Sequence, residues 1–238
     1  MVDERLDVGT IAGLLGLLAH DLRNPLSALH SNVGFLAAGP RMSEDDAREA
    51  VADALVSCDG LIHIIDNIEL LAHALSDASP RSRSPVALAS VVAEVVSTHR
   101  ALAESHEVTL ELAGSAADPA YVVWVQRDMY RRALENLVRN AIQYGVSHPV
   151  NVSVRSANGD VELVITDRGP AFDTKLGQGP FTASGQLAAK GAMGGRYGRG
   201  LGLFCARFAA ESAGATVEAV LPSGGTGNSF VLRARPAK

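Results

Sequence analysis

Apolar residues recur at helical spacing through the first third of the chain, and then the period changes. Along residues 11–36, Ile11, Leu15, Leu18, Leu22, Leu26, Leu29, Val33 and Leu36 step by three or four. A second run repeats the behaviour through Ala47, Val51, Ala54, Cys58, Leu61, Ile65, Ile68, Ala72 and Leu75. Such spacing marks the seam of a coiled coil or helical bundle. Gly39-Pro40 stops the first helix, and Ser43 with Asp46 resembles a capping box for the second. So short a connection predicts an antiparallel helical hairpin. Leu14 and Leu17 add apolar surface beside the seam, more than one hairpin can bury. Dimerisation into a four-helix bundle is the economical solution.

Residues 77–85, Asp-Ala-Ser-Pro-Arg-Ser-Arg-Ser-Pro, are polar, contain two prolines and read as a linker between a first domain, 1–76, and a second, 86–238. Beyond it the pattern turns to mixed α and β. A helix at 88–104 precedes strands at Val108–Leu112 and Tyr121–Val125. A long helix at 127–144 leads to strands at 150–155 and 161–166, turning at Asn158-Gly159. A glycine-crowded stretch at 168–199 follows, then a helix at 200–213 and strands at 215–221 and 229–234. This order predicts an α+β fold with a helical layer on one mixed sheet.

Composition narrows the function classes. The 238 residues carry a formal charge of −5, and no basic face is evident to neutralise nucleic-acid or membrane phosphates. The apolar stretch Ile11–Ala19 is too short to span a bilayer and lacks the flanks of a signal peptide, so no membrane insertion is expected. Cys58 and Cys205 fall at apolar helical positions without metal spacing, as reduced core thiols of a cytoplasmic protein would.

Against that background, residues 19–25 stand out: Ala-His-Asp-Leu-Arg-Asn-Pro, inside the first amphipathic helix. His20 lies about 200° round the helix from Leu18, away from the seam. Neutral imidazole, with a pKa of roughly 6.5, is a competent nucleophile near pH 7. Asp21 can accept the proton of the other ring nitrogen, and Asn24 lies on the same face at i+4. Pro25 removes a helical hydrogen bond and predicts a bend at this turn.

Three further motifs lie downstream. Asn136 and Asn140 stand at i and i+4 on the long helix, and Asn140 offers a neutral oxygen suited to a hydrated Mg²⁺ on triphosphate oxygens. Asp167-Arg168-Gly169 follows an apolar strand and places a carboxylate where an exocyclic amine, such as that of adenine, could donate. Gly198, Gly200 and Gly202 open a helix, where bare amides and the helix N-terminus form an anion cradle. The triplet is neither a dinucleotide fingerprint nor a P-loop.

In this order and spacing the motifs resemble those of the sensor histidine kinases of two-component signalling, over nearly the whole chain. The resemblance makes residues 1–76 a dimerisation and histidine-phosphotransfer domain and 86–238 a catalytic, ATP-binding α/β sandwich of the histidine kinase and gyrase type. It implies His20 as phosphoacceptor, aided by Asp21 and Asn24. It implies an ATP site of Asn136, Asn140, Tyr144, Asp167, Gly169, Gly198, Gly200, Gly202 and Leu203, with Asn140 on magnesium and Pro180-Phe181 in a lid. It also implies a homodimer, a response regulator whose aspartate receives the phosphoryl group, and phosphatase activity toward that regulator. With no sensor, membrane or receiver segment in the sequence, input is expected from another protein or another portion.

Two positions depart from the family pattern. Ala171 replaces a glycine, and Gln143 stands where a basic residue often lies near the phosphates. They favour the alternative of a phosphotransfer or scaffold protein with a degenerate ATP site. A hydrolytic ATPase is disfavoured: its relatives carry a glutamate base where this chain has Asn136, which cannot deprotonate water.

Overall fold

A computed structural model describes residues 8–38, 43–75, 82–145, 147–170, 179–185, 201–220 and 227–237. Helix α1, Val8–Ala37, and helix α2, Glu44–Leu75, form the expected hairpin. Ser43 caps α2: its Oγ accepts from the Asp46 amide at 3.1 Å, and the Asp46 carboxylate accepts the Ser43 amide in return at 3.3 Å. Gly39-Pro40, the expected stop of α1, lies outside the described residues. Helix α1 runs through Pro25 as one helix.

Which faces the hairpin buries differs from the expected seam. Leu14, Leu17 and Leu18 of α1 and Leu70 and Leu71 of α2 are buried and continuous with the core of the second domain. On α2 the other buried positions are small or polar: Ala50, Ser57, Gly60 and Asn67. Leu15, Leu26 and Val33 of the expected stripe stay exposed, as do Val51, Leu55, Ile62 and Ile65 of α2. A helical period reveals an apolar face without saying what covers it, and here the chain's own domain covers only a part.

The second domain begins earlier than composition suggests. Ser84 and Pro85 open strand β1, Ser84–Ala87, which pairs antiparallel with β3, Val122–Val125. Proline is tolerated at the start of so short an edge strand. The helix expected over 88–104 is broken into α3, Leu88–Thr98, and α4, Arg100–Ser105. The break falls at His99, whose φ of −95° and ψ of 6° leave the helical region while its ring bonds the Val95 carbonyl at 2.9 Å. Strand β2, Leu110–Leu112, precedes β3, and α5 spans Arg127–Tyr144 as expected. The Gln126 side chain caps α5 by accepting from the Met129 amide.

Strands β4, Val150–Ala157, and β5, Asp160–Asp167, join through Asn158 and Gly159, both at positive φ as a two-residue type I′ turn requires. Helix α6, Gly202–Ala213, and strands β6, Thr216–Val220, and β7, Asn228–Ala234, complete the domain. The main sheet has the order β2-β4-β5-β7-β6, parallel only between β2 and β4. Val161, Leu163 and Ile165 of β5 alternate into the core, while Glu162 faces the other side.

There Glu162, almost fully buried, accepts from Arg155 at 2.8 Å and Arg233 at 2.7 Å. Burial alone would raise its pKa, but the two guanidinium groups outweigh that and hold the carboxyl below its ordinary value. Its stabilisation is therefore complete above the unfolded carboxylate pKa of about 4.3 and is lost as pH falls through the folded value. Glu162→Ala should cost about 2 kcal/mol in urea unfolding at pH 7, with a smaller penalty at pH 3. An equal penalty at both pH values would contradict this assignment.

Candidate active site

One cleft of about 310 Å³ runs between the hairpin and the second domain. Leu18, Asp21, Asn24 and Pro25 of α1 form one side, and Asn136, Arg139, Asn140, Gln143 and Tyr144 of α5 form the other. Leu201, Gly202 and Leu203, at the start of α6, close the end. Five expected nucleotide-site residues, Asn136, Asn140, Tyr144, Gly202 and Leu203, thus share a cavity with two of the three expected catalytic residues. Leu201, the N-cap residue of α6, gives no side-chain cap, and the helix begins at this end of the cleft, where its first amides and the positive end of its dipole lie.

His20 does not line the cleft. Its side chain is 59% exposed beside it, and Nδ1 lies 3.4 Å from the Asp21 carboxylate. Burial raises the pKa of Asp21, partly opposed by its hydrogen bond and charge interaction with His20. A more basic carboxylate next to Nδ1 leaves Nε2 with the lone pair. The i to i+4 relation puts Asn24 one turn beyond, also exposed.

Asp167 and Gly169 lie at the end of β5 and are not part of the cleft wall. The Asp167 carboxylate accepts from the Gly169 amide at 2.8 Å and from Asn228 Nδ2 at 3.1 Å, which fixes its orientation. Phe181 is buried edge-on against Phe230, anchoring the segment expected to form a lid. Gly198, Gly200 and Ala171 lie outside the described residues.

The cleft depends on how α5 is held. Arg132 donates to the Asp66 carbonyl and the Glu69 carboxylate, both at 3.0 Å, pinning α5 to α2. Asn136 Nδ2 donates to Asn67 Oδ1 at 3.1 Å and to the Arg132 carbonyl at 2.9 Å. With both hydrogens used, Asn136 Oδ1 is a buried acceptor without a donor. A Cβ at Gly202 would lie 3.5 Å from that oxygen, so the glycine keeps space open in front of it. An orphaned amide oxygen beside Asn140 fits a hydrated Mg²⁺, which takes few protein oxygens and keeps waters and phosphates as its other ligands. Among the described residues no cluster of histidine, cysteine and carboxylate groups suggests another metal.

Sequence reasoning missed the α2 wall. Gly60, His63, Ile64 and Asn67 line the cleft, as does His106. Asn67 Nδ2 lies 3.2 Å from His63 Nε2. Burial, with Arg139 and His99 nearby, pushes the His63 pKa well below the usual histidine value, so the ring is neutral at pH 7 and can accept. The available signal was the row of small and polar residues, Ser57, Gly60 and Asn67, set at helical spacing inside an apolar helix.

Two domain families match this chain. The His Kinase A (phospho-acceptor) domain matches residues 12–77, and the histidine kinase-, DNA gyrase B- and HSP90-like ATPase family matches residues 125–238. The chain belongs to the two-component sensor histidine kinases. The sensor-like histidine kinase SenX3 of Mycolicibacterium smegmatis (strain ATCC 700084 / mc(2)155) is 27% identical over 229 residues, 90% of this chain and 55% of that protein. The sensor-type histidine kinase PrrB of Mycobacterium leprae (strain TN) is 25% identical over 198 residues, 83% of this chain and 42% of that one. This histidine kinase chain therefore spans about half the length of the curated relatives it matches.

Solved histidine kinases share its fold. AdeS of Acinetobacter baumannii superposes with a TM-score of 0.54 at 17% identity, covering 92% of this chain and 98% of that one. Full-length ShkA in complex with AMPPNP gives 0.60 at 18% identity, over 100% of this chain and 47% of that one. No described helix of this histidine kinase chain is long and apolar enough to cross a membrane.

Proposed function

We propose that this chain is an ATP-dependent protein kinase that phosphorylates its own His20 and passes the phosphoryl group to an aspartate of a response regulator. The observation that supports this most is the shared cleft, in which Asp21 and Asn24 beside the acceptor histidine face Asn136 and Asn140 across one cavity. The triphosphate lies along α5, with its anionic end toward the N-terminus of α6. Asp167, at the end of β5, is the acceptor for the adenine amine. Bound magnesium, held by Asn140 and the open oxygen of Asn136, would neutralise charge on the triphosphate.

His20 attacks in line through Nε2. The new N–P bond forms as the bond from the γ-phosphorus to the β–γ bridging oxygen breaks, and ADP departs with that oxygen. Asp21 stabilises the imidazolium and takes the Nδ1 proton. Because His20 stands outside the cleft wall, the catalytic domain must shift on the linker that precedes β1 to bring the phosphate to the ring. On the return half of the cycle Asp21 and Asn24 position water for hydrolysis of the regulator's phosphoaspartate. The exposed stripe of Leu15, Leu26, Val33, Leu55 and Ile62 supports a homodimer through a four-helix bundle. Free thiols at Cys58 and Cys205 are in keeping with a cytoplasmic protein. Input is expected from an upstream sensor.

A second reading, a phosphotransfer or scaffold protein with a degenerate ATP site, is favoured by Ala171 and by Gln143, a neutral side chain on the cleft wall. Hydrolysis of ATP by water finds no base in Asn136, and its neighbour Glu135 is tied to Arg131.

Incubation with γ-labelled Mg-ATP should give acid-labile, alkali-stable label on the wild type and none on His20→Ala. Asp21→Asn should slow labelling by about 10²-fold or more. Unlabelled wild type that binds ATP would contradict the kinase; unlabelled wild type that binds no nucleotide would favour the second reading. Light scattering should report a dimer, converted to monomer by Leu55→Glu with Ile62→Glu; a monomeric wild type would refute the bundle.

A further inference from the structure

Helix α5 carries four arginines, and three of them are paired. Arg127 meets Glu94. Arg131 meets Glu135 and Glu94, and Arg132 meets Asp66 and Glu69. Arg139 has no carboxylate at ion-pair distance among the described residues; Asp59 acts on it only from farther away. Yet its side chain is partly buried and lies over Gly60, where a Cβ would come within 3.2 Å of Nη2. A cation drawn partly out of water without its counter-charge is costly. A side chain at Gly60 would press on this guanidinium.

The surroundings indicate which anion would complete it. Arg139 lines the cleft together with Asn140, Asp21 and Asn24, between the metal-binding turn and the acceptor turn. Gln143, one turn further along the same helix, is neutral where the family often carries a basic residue. His63 and His106 on the same wall are held toward the neutral form by burial and by Arg139 itself, so they add little positive charge at pH 7.

We propose that Arg139 is the γ-phosphate cation of this site, supplying from one turn earlier the charge that Gln143 lacks, and that it is the residue by which the cleft prefers ATP to ADP. This rests on the reading of the cleft as a nucleotide site. The γ-phosphate is assigned to it because Arg139 lies against Gly60 of the hairpin and shares the cleft with Asp21 and Asn24 of the acceptor turn. A planar guanidinium can grip two phosphate oxygens at once, which suits recognition of a terminal phosphate.

Calorimetric titration of the full chain with Mg-ATP and Mg-ADP tests this without reference to catalysis. Arg139→Gln should weaken ATP by about tenfold or more while changing ADP by less than about threefold. Adding Gln143→Lys to Arg139→Gln should recover most of the lost ATP affinity, a rescue that repair of a merely structural defect would not give. Arg139→Lys, which keeps the charge, should fall between wild type and Arg139→Gln. Equal losses for ATP and ADP, or no loss for either, would overturn the assignment while leaving the nucleotide site intact. A wild type that binds neither nucleotide would overturn the nucleotide reading and this inference with it.

Discussion

The side-chain bridge from helix α5 to helix α2 is the contact on which the rest depends, because with α6 packed on α2 it makes one cavity from two domains. Arg132 bridges to Asp66 and Glu69, and Asn136 hydrogen-bonds Asn67 from the adjoining turn. Neither pairing is worth much at an exposed surface. Here Asn67 and Asn136 are both buried, so losing either leaves an unpaired amide away from water. Leu14, Leu17, Leu70 and Leu71 add apolar area to the same junction. Polar specificity and hydrophobic burial together set the position of α5 relative to the turn that carries His20.

The chemistry is shaped by the same contact. Binding Asn67 through its amide nitrogen leaves the oxygen of Asn136 as a buried acceptor facing Gly202. Burial in the junction makes Asp21 a better proton acceptor and keeps His63 neutral. The Cys205 thiol, pushed up to about 12 by burial, lies 3.9 Å from the Asn67 carbonyl and is inert packing. The site is thus polar on its hairpin wall, with the Asp21 carboxyl among its residues, and carries Arg139 and the start of α6 on the other walls, an arrangement that suits a triphosphate aimed at His20.

Much of this was legible in the sequence. The limits of α5, the Ser43 cap and the Asn158-Gly159 turn follow from local rules that involve only neighbouring residues. The string from His20 to Pro25 and the paired asparagines stood out because histidine, asparagine and proline are poor choices for an ordinary helix interior. Strand β1 was hidden, since Ser84-Pro85 reads as linker until a partner strand 38 residues or more away is known. The division of the hairpin's apolar face was hidden too. Periodicity cannot distinguish Leu14 and Leu18, covered by the chain's own core, from Leu15 and Ile62, left outside. Gly60, His63 and Asn67 escaped notice because their significance comes from Pro25, Arg139 and Asn136, residues distant in sequence.

The central claim is that the terminal phosphate of ATP sits between α5 and the acceptor turn. An ATP analogue with a photoreactive aryl azide on its γ-phosphate, irradiated on the intact protein and mapped by mass spectrometry, reads this position directly. The account predicts adducts both within residues 20–25 and within residues 139–144. Adducts confined to the second domain, with none on the hairpin, would contradict it.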